Sequence, residues 1–201
     1  MALGLLHPDP TSNDLMEDIG SNYFDTLLLN SLLQDAEKDD YNSITSCKMH
    51  DVVHDLALDT AKNYCSTVHA SQLMNDVSDV VHLSLVSSLQ EIPEISKKIC
   101  PRLQTLILKA DFDGKLLANL KCLRVLVLDN YRISELPDSI GQLKHLRYLD
   151  ISKTWILSLP NSITKLYHLQ TLRLRQVHEV PKKFGNLINL RHFCIGIIFA
   201  A

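Results

Sequence analysis

LRVLVLDNYRISELPDSIGQLKHLRYLDISKTWILSLPNSITKLYHLQTLRL, from Leu123 to Leu174, holds one pattern three times: Leu123, Leu126, Leu128; Leu146, Leu149, Ile151; Leu169, Leu172, Leu174. Outward from it the same L-x-x-L-x-L spacing recurs at Leu103, Leu106, Leu108, at Leu190, Phe193, Ile195 and, in a looser form, at Val80, Leu83, Leu85. The starts at 80, 103, 123, 146, 169 and 190 lie 23, 20, 23, 23 and 21 residues apart. Within each pattern the last two apolar residues are two apart, which is the period of a strand with one face inward.

A segment this short cannot bury its own apolar face. Copies of it must stack, so that their strands form one parallel sheet and their leucines one continuous core. The period is that of a leucine-rich-repeat solenoid. The returning segments repeat as well: ISELP (Ile133 to Pro137), ILSLP (Ile156 to Pro160) and VHEVP (Val177 to Pro181) each precede an apolar pair. Proline fixes φ and lacks an N–H, so extended or turned connections are expected on the back of the solenoid. Composition agrees, with 46% hydrophobic residues but only 6% aromatic ones.

Strand alternation assigns the other side of the sheet to solvent: His82, Ser84, Val86; Thr105, Ile107, Lys109; Val125, Val127, Asp129; Tyr148, Asp150, Ser152; Thr171, Arg173, Arg175; and His192, Cys194. The last three rows mix polar, aromatic and cationic side chains, the composition of an adaptable contact surface. Tyr148, Asp150, Thr171, Arg173, Arg175 and His192 are therefore the expected partner-binding residues. Trp155 reads as a packing residue at the repeat edge, and His145, His168 and His178 as exposed residues of connections.

Before the repeats, residues 14–33 read as an amphipathic helix with Asp14, Glu17 and Asp18 in its first turn, Ile19, Tyr23, Leu27 and Asn30 along one stripe, and Phe24 and Leu28 beside it. Leu32 to Gln34 and Ile44 to Met49 can pair as a hairpin across the polar stretch from Asp35 to Ser43. A second helix from Asp51 to about Tyr64 would bury Val52, Val53, Leu56, Ala57 and Ala61. Together these describe a small, mostly helical winged-helix-like unit over residues 1–66, a polar linker over 67–79 and the repeat domain over 80–201.

Charge divides along the same line. Residues 1–66 carry twelve acidic and three basic side chains, and residues 80–201 nine acidic and seventeen basic. Halves of opposite sign attract, so an acidic winged helix held against a basic solenoid is expected, with Asp51, Asp55 and Asp59 facing Arg124, Arg147 and Arg173. The acidic helices also argue against nucleic acid, because phosphate would be repelled where a recognition helix must dock.

Cys47, Cys65, Cys100, Cys122 and Cys194 are odd in number and include no CxxC, which signals neither a disulfide framework nor a zinc site and fits a reduced compartment. Met1 to Leu6 is too short, and lacks the basic residues, for a secretory signal, and no run nears the roughly 18 apolar residues of a membrane helix. His50, Asp51 and His54 stand in an H-D-x-x-H spacing close to that of zinc proteases. Aspartate is shorter than the glutamate base and no third ligand is indicated, so no catalytic or metal residue is assigned and a zinc hydrolase remains a remote alternative.

CKMHDVVHDLA (Cys47 to Ala57), preceded by LMEDIGSNYFDTLLLNSLLQD, resembles the end of the nucleotide-binding module of plant intracellular immune receptors, the nucleotide-binding leucine-rich-repeat proteins. The stretch ISELPDSIGQLKHLRYLDIS (Ile133 to Ser152) resembles their repeats, and Met49, His50 and Asp51 fall on their Met-His-Asp motif. The resemblance implies a cytoplasmic, non-enzymatic regulator of plant defence. In it His50 would touch the phosphates of ADP, with Asp51 beside it, and the repeats would contact a protein partner and the receptor's own nucleotide-binding module. This chain departs from the family in lacking any G-x-x-x-x-G-K-[ST] phosphate loop. ADP or ATP binding is therefore expected only together with such a region. The chain also stops within an apolar run, Phe193 to Ala201, which reads as a truncated receptor. A generic repeat adaptor, with the first helices as a solenoid cap, is the alternative reading.

Overall fold

The computed structural model describes residues 2–6, 14–40, 44–61, 64–69, 80–86, 102–111 and 114–196. The chain divides into two compact units, essentially Leu3–Lys62 and Asn63–Ala201.

In the first unit, helix α1 (Met16–Leu29) is followed by strands β1 (Leu33–Lys38) and β2 (Ile44–Met49) and by helix α2 (Asp51–Ala61). Glu17 and Asp18 sit in the first turn of α1, where the helix dipole favours them. At its other end Ser31 adopts φ 56°, and the Ser31 and Leu32 N–H groups donate to the carbonyls of Leu28 and Leu27. That left-handed turn satisfies the last carbonyls and sends the chain into β1. β1 and β2 pair antiparallel, from Leu33 opposite Met49 to Lys38 opposite Ile44, with a bulge between Gln34 and Glu37. The expected hairpin is thus present, with a first strand that runs on to Lys38.

The helix faces agree with expectation in part. On α1 the half-buried residues are Met16, Glu17, Ile19, Gly20, Phe24 and Leu28, while Tyr23 and Leu27 are exposed. On α2 Val53, Ala57 and Ala61 turn inward at successive turns, whereas Val52 and Leu56 face outward. No described side chain of this unit is fully buried. A helix without a deep core to fill has its orientation set by few contacts, and contiguous apolar pairs such as Tyr23–Phe24 do not specify it.

The second unit is a seven-stranded parallel sheet in sequence order: β3 (Cys65–His69), β4 (His82–Val86), β5 (Thr105–Lys109), β6 (Val125–Asp129), β7 (Tyr148–Lys153), β8 (Thr171–Leu174) and β9 (His192–Ile195). Six of these strands are the six leucine patterns. The seventh, β3, moves a boundary: residues 65–69, expected to end the first unit and open a linker, pair with β4 from Cys65 opposite His82 to His69 opposite Val86. The rest of the expected linker, residues 70–79, lies outside the described residues, as do Cys100 and the end of the terminal apolar run.

Register explains the core. Leu83, Leu106, Leu126, Leu149, Leu172 and Phe193 form one row across the sheet, and Leu85, Leu108, Leu128, Ile151, Leu174 and Ile195 the next. The interior members of both rows are buried, while Phe193 and Ile195 on β9 are exposed. Each strand is hung on its predecessor by a shared carbonyl: Arg124 O accepts from the Arg147 and Tyr148 N–H groups at 2.8 and 3.0 Å, and Arg147 O from those of Gln170 and Thr171 at 2.8 and 3.0 Å.

The returning segments are extended at Pro137 (φ −70°, ψ 151°) and Pro160 (φ −67°, ψ 152°). Each then tightens into a 3₁₀ turn, Asp138–Gln142 and Asn161–Lys165, while a short helix α3 (Gly114–Ala118) takes that place one repeat earlier. Successive turns touch so closely that a Cβ on Gly141 would stand 2.7 Å from the Ser162 carbonyl oxygen, so this position requires glycine.

Candidate functional site

The solvent side of the sheet forms straight rows because the strands are parallel and in register. One row runs His82, Thr105, Val125, Tyr148, Thr171, His192, and the next Ser84, Ile107, Val127, Asp150, Arg173, Cys194. The outward positions expected on β5 to β9 lie in these rows or at their ends, except that an irregularity after Val127 sets Asp129 opposite Lys153 rather than Ser152. Arg175 comes one residue after β8.

Asp150 and Arg173 are directly opposite each other, and the Arg173 Nη1 donates to Asp150 Oδ2 at 3.1 Å. The Tyr148 hydroxyl donates to the same oxygen at 3.3 Å and accepts from Arg173 Nη1 at 3.4 Å. The other carboxylate oxygen, Oδ1, accepts from the Ser152 N–H at 2.9 Å and hydroxyl at 2.6 Å. Asp150 is thus buried with both oxygens engaged, and its carboxylate is an anchor for Tyr148 and Arg173 rather than a free contact. Burial raises the Tyr148 pKa, against the lowering effect of the hydrogen bond from Arg173. The same hydrogen bond, foremost, raises that of Arg173. Both stay in their neutral and cationic forms respectively at physiological pH. The residues are one repeat apart in sequence, the spacing that identifies cross-strand neighbours in any such stack.

Thr171 and His192 are half-buried in the first row, and Arg173 is exposed. Trp155 departs from the packing role expected of it: its ring is exposed and the Arg175 guanidinium lies over it at 3.9 Å from the centroid. His145, His168 and His178 are exposed, and the first two rings stack with centroids 6.4 Å apart. At the leading edge of the strands Val81, Arg102, Gln104, Cys122, Arg124 and His145 line an open cavity of about 320 Å³.

On β4, second from the edge of the sheet, His82 Nδ1 lies 2.9 Å from Thr105 Oγ1, and burial lowers the pKa of its imidazole. The unfolded chain takes up this proton below about pH 6.5, whereas the folded chain resists it to lower pH. Stability is therefore complete above that value and falls as pH drops from it toward the lowered folded value. Melting temperatures at pH 7.5 and 5.5 are expected to differ less in His82→Gln than in the native chain, and an unchanged difference rejects the assignment.

His50 caps α2 and is not part of it. Its Nδ1 accepts from the Val52 N–H at 3.3 Å and its carbonyl from the His54 N–H at 2.8 Å, while its own N–H donates to Leu32 O at 3.1 Å. The imidazole is half-buried, Asp51 is exposed on the first turn, and His54 pairs with the adjacent Asp55 at 3.8 Å. The H-D-x-x-H spacing therefore does not place two imidazoles on one helical face, since His50 lies before the helix with one ring nitrogen engaged by it. No cluster of three potential metal ligands exists among the described residues.

Among the described residues no helix is long and apolar enough to cross a membrane. The disposition of strands matches a leucine-rich-repeat protein of Leptospira interrogans, with a TM-score of 0.51 and 21% identity over 69% of this chain and 38% of that one, a likeness of fold. A family model described as a leucine-rich repeat region matches residues 102–199, and one described as the winged-helix domain of disease resistance proteins matches residues 1–57. An Arabidopsis thaliana protein named as a candidate disease resistance protein is 34% identical over 154 residues, 70% of this chain and 10% of that protein. The RPP13-like protein 3 of the same plant, named in the same way, is 32% identical over 144 residues, 64% of this chain and 16% of its own length. The chain thus spans a small part of the relatives it matches. With a winged helix of that type followed by a leucine-rich-repeat region, the chain belongs to the disease resistance protein family.

Proposed function

We propose that this chain serves plant defence as a recognition and regulatory segment of a cytoplasmic immune receptor, and that it catalyses no reaction itself. It binds a protein partner through Tyr148, Thr171, Arg173, Arg175 and His192, with Asp150 holding two of them in place. The observation that carries this reading is the assembly of Tyr148, Thr171, Arg173 and His192 in two adjacent rows across β7 to β9, backed by buried leucines on β7 and β8. Side chains fixed by such a sheet lose little entropy on binding, which favours specific recognition.

The second partner is the nucleotide-binding module of the same receptor. The acidic balance of residues 1–66 and the basic balance of residues 80–201 support an autoinhibitory attraction in the resting state, weakened by salt. Toward ADP the chain contributes a single contact. His50 Nδ1 is engaged by α2, which leaves Nε2 to address a phosphate, and no lysine or arginine occurs from His50 to Ala61. The contact is vestigial without a phosphate loop. The domain limits of 1–66, 67–79 and 80–201 are proposed with the change that β3 belongs to the repeats.

A chimera tests both roles, with the full chain replacing the matching segment of the Arabidopsis protein that is 34% identical. His50→Ala is expected to lower ADP retention by the purified chimera about tenfold, the effect of one charge-assisted hydrogen bond. Tyr148→Ala with Thr171→Ala and His192→Ala is expected to alter the leaf cell-death response. Indifference of ADP retention to the first and of the leaf response to the second rejects the proposal.

A further inference from the structure

Beyond the rows, residues that trail three successive strands converge on an assembly of which strand alternation places only Arg175. Tyr131 follows β6, Trp155 follows β7 and Arg175 follows β8, so stacking of the repeats brings them together. The Arg175 guanidinium carbon lies 3.9 Å from the Trp155 ring centroid and 5.7 Å from that of Tyr131, both within cation–π range. The two rings remain open to solvent, 47% and 46% exposed.

The surrounding carboxylates are committed elsewhere. Asp150 holds Arg173 at 3.1 Å, Asp129 holds Lys153 at 3.2 Å and Lys109 at 4.0 Å, and Asp111 holds Arg132 at 3.8 Å and the Asn130 amide at 2.7 Å. Among the described residues Arg175 forms no ion pair, and its Nη1 is shut off from solvent with no acceptor. Trp155 covers one face of the guanidinium and Nη1 is closed off, which leaves the Nε and Nη2 N–H groups as the route by which an oxyanion can reach it. A planar cation held in this way is preset for a bidentate carboxylate. Tryptophan, tyrosine and arginine are also the residue types that dominate binding energy at protein interfaces.

We propose that Tyr131, Trp155 and Arg175 form a docking site for an aspartate or glutamate of a protein partner, flanked by an apolar residue that lies against the two rings. The site rests on the reading of the sheet face as a recognition surface, and it gives that partner a chemistry: an acidic side chain next to leucine or phenylalanine. Arg175 supplies the charge, Trp155 its orientation and Tyr131 the second apolar wall.

Trp155 is the only tryptophan in the sequence, so intrinsic emission reports from this site alone. A display library of random dodecapeptides, selected on the full chain, is expected to enrich aspartate or glutamate beside leucine or phenylalanine. The enriched peptides, once synthesised, should change Trp155 emission saturably. They should bind about tenfold more weakly after Asp→Asn or Glu→Gln replacement in the peptide, and as weakly to an Arg175→Gln chain that melts like the native one. Absence of acidic enrichment overturns the site, as does equal binding to Arg175→Gln or an Arg175-dependent emission change with a single-stranded oligonucleotide. Peptides that lose binding with Thr171→Ala and His192→Ala but not with Arg175→Gln overturn this site and leave the recognition face standing. Peptides indifferent to all of these variants overturn both.

Discussion

Leu126→Asp is expected to unfold the repeat sheet. Leu126 is wholly buried in the inner row, opposite Leu106 on one side and Leu149 on the other. A carboxylate there has no partner in reach and must be buried ionised, take up a proton, or force the strands apart. Each route costs several kcal/mol, comparable with the about 5–15 kcal/mol that holds a domain together. The milder Leu126→Ala should cost about 2–5 kcal/mol, through lost burial and a cavity that close stacking cannot collapse. Val127→Thr, one residue along on the solvent side, should stay within about 0.5 kcal/mol. Circular dichroism and melting of the three variants separate these expectations, and native-like melting of Leu126→Asp refutes the buried row. Because the molecule has two units, the loss should appear in the sheet signal first.

That row was legible because an L-x-x-L-x-L spacing carries its own register: once the inner leucines are set, the outer residues follow by alternation. The strand β3 was not, since Cys65 to His69 (CSTVH) holds one aliphatic residue in five and pairs with β4 through its backbone. The helix faces of the first unit were legible in part: Ile19, Phe24, Leu28, Val53, Ala57 and Ala61 turn inward as expected, but Tyr23, Leu27, Val52 and Leu56 do not, because adjacent apolar residues compete and no buried core decides between them. The site divides in the same way. Alternation singled out Tyr148, Asp150, Thr171, Arg173, Arg175 and His192 as one face, whereas Trp155 and Tyr131 come from loops, where no period applies. His50 was singled out by resemblance alone, and its capping role is visible only from the hydrogen bond to Val52.

Arg173→Ala is expected to destabilise the chain by about 1–2 kcal/mol, more than loss of an exposed ion pair. The two partners are unequally placed: the Asp150 side chain is 12% exposed and that of Arg173 49%. Removing the arginine leaves a nearly buried carboxylate served by Tyr148 and Ser152 alone, whereas an isolated surface pair yields at most about 1 kcal/mol. Asp150→Ala removes the charge but also the acceptor for the Ser152 N–H and hydroxyl, so it should cost at least as much. In the double variant no uncompensated carboxylate remains. The combined loss should therefore fall short of the sum of the single ones by about 1 kcal/mol, the coupling of neighbours in one network. Additive losses in thermal or urea unfolding would show the pair to be energetically independent and Asp150 to act only through Ser152. The coupling bears on recognition too: if Asp150 orients Arg173 and Tyr148, Asp150→Asn should weaken partner binding without touching the partner, and Arg173→Lys, which keeps the charge but loses the planar fork, should not restore it.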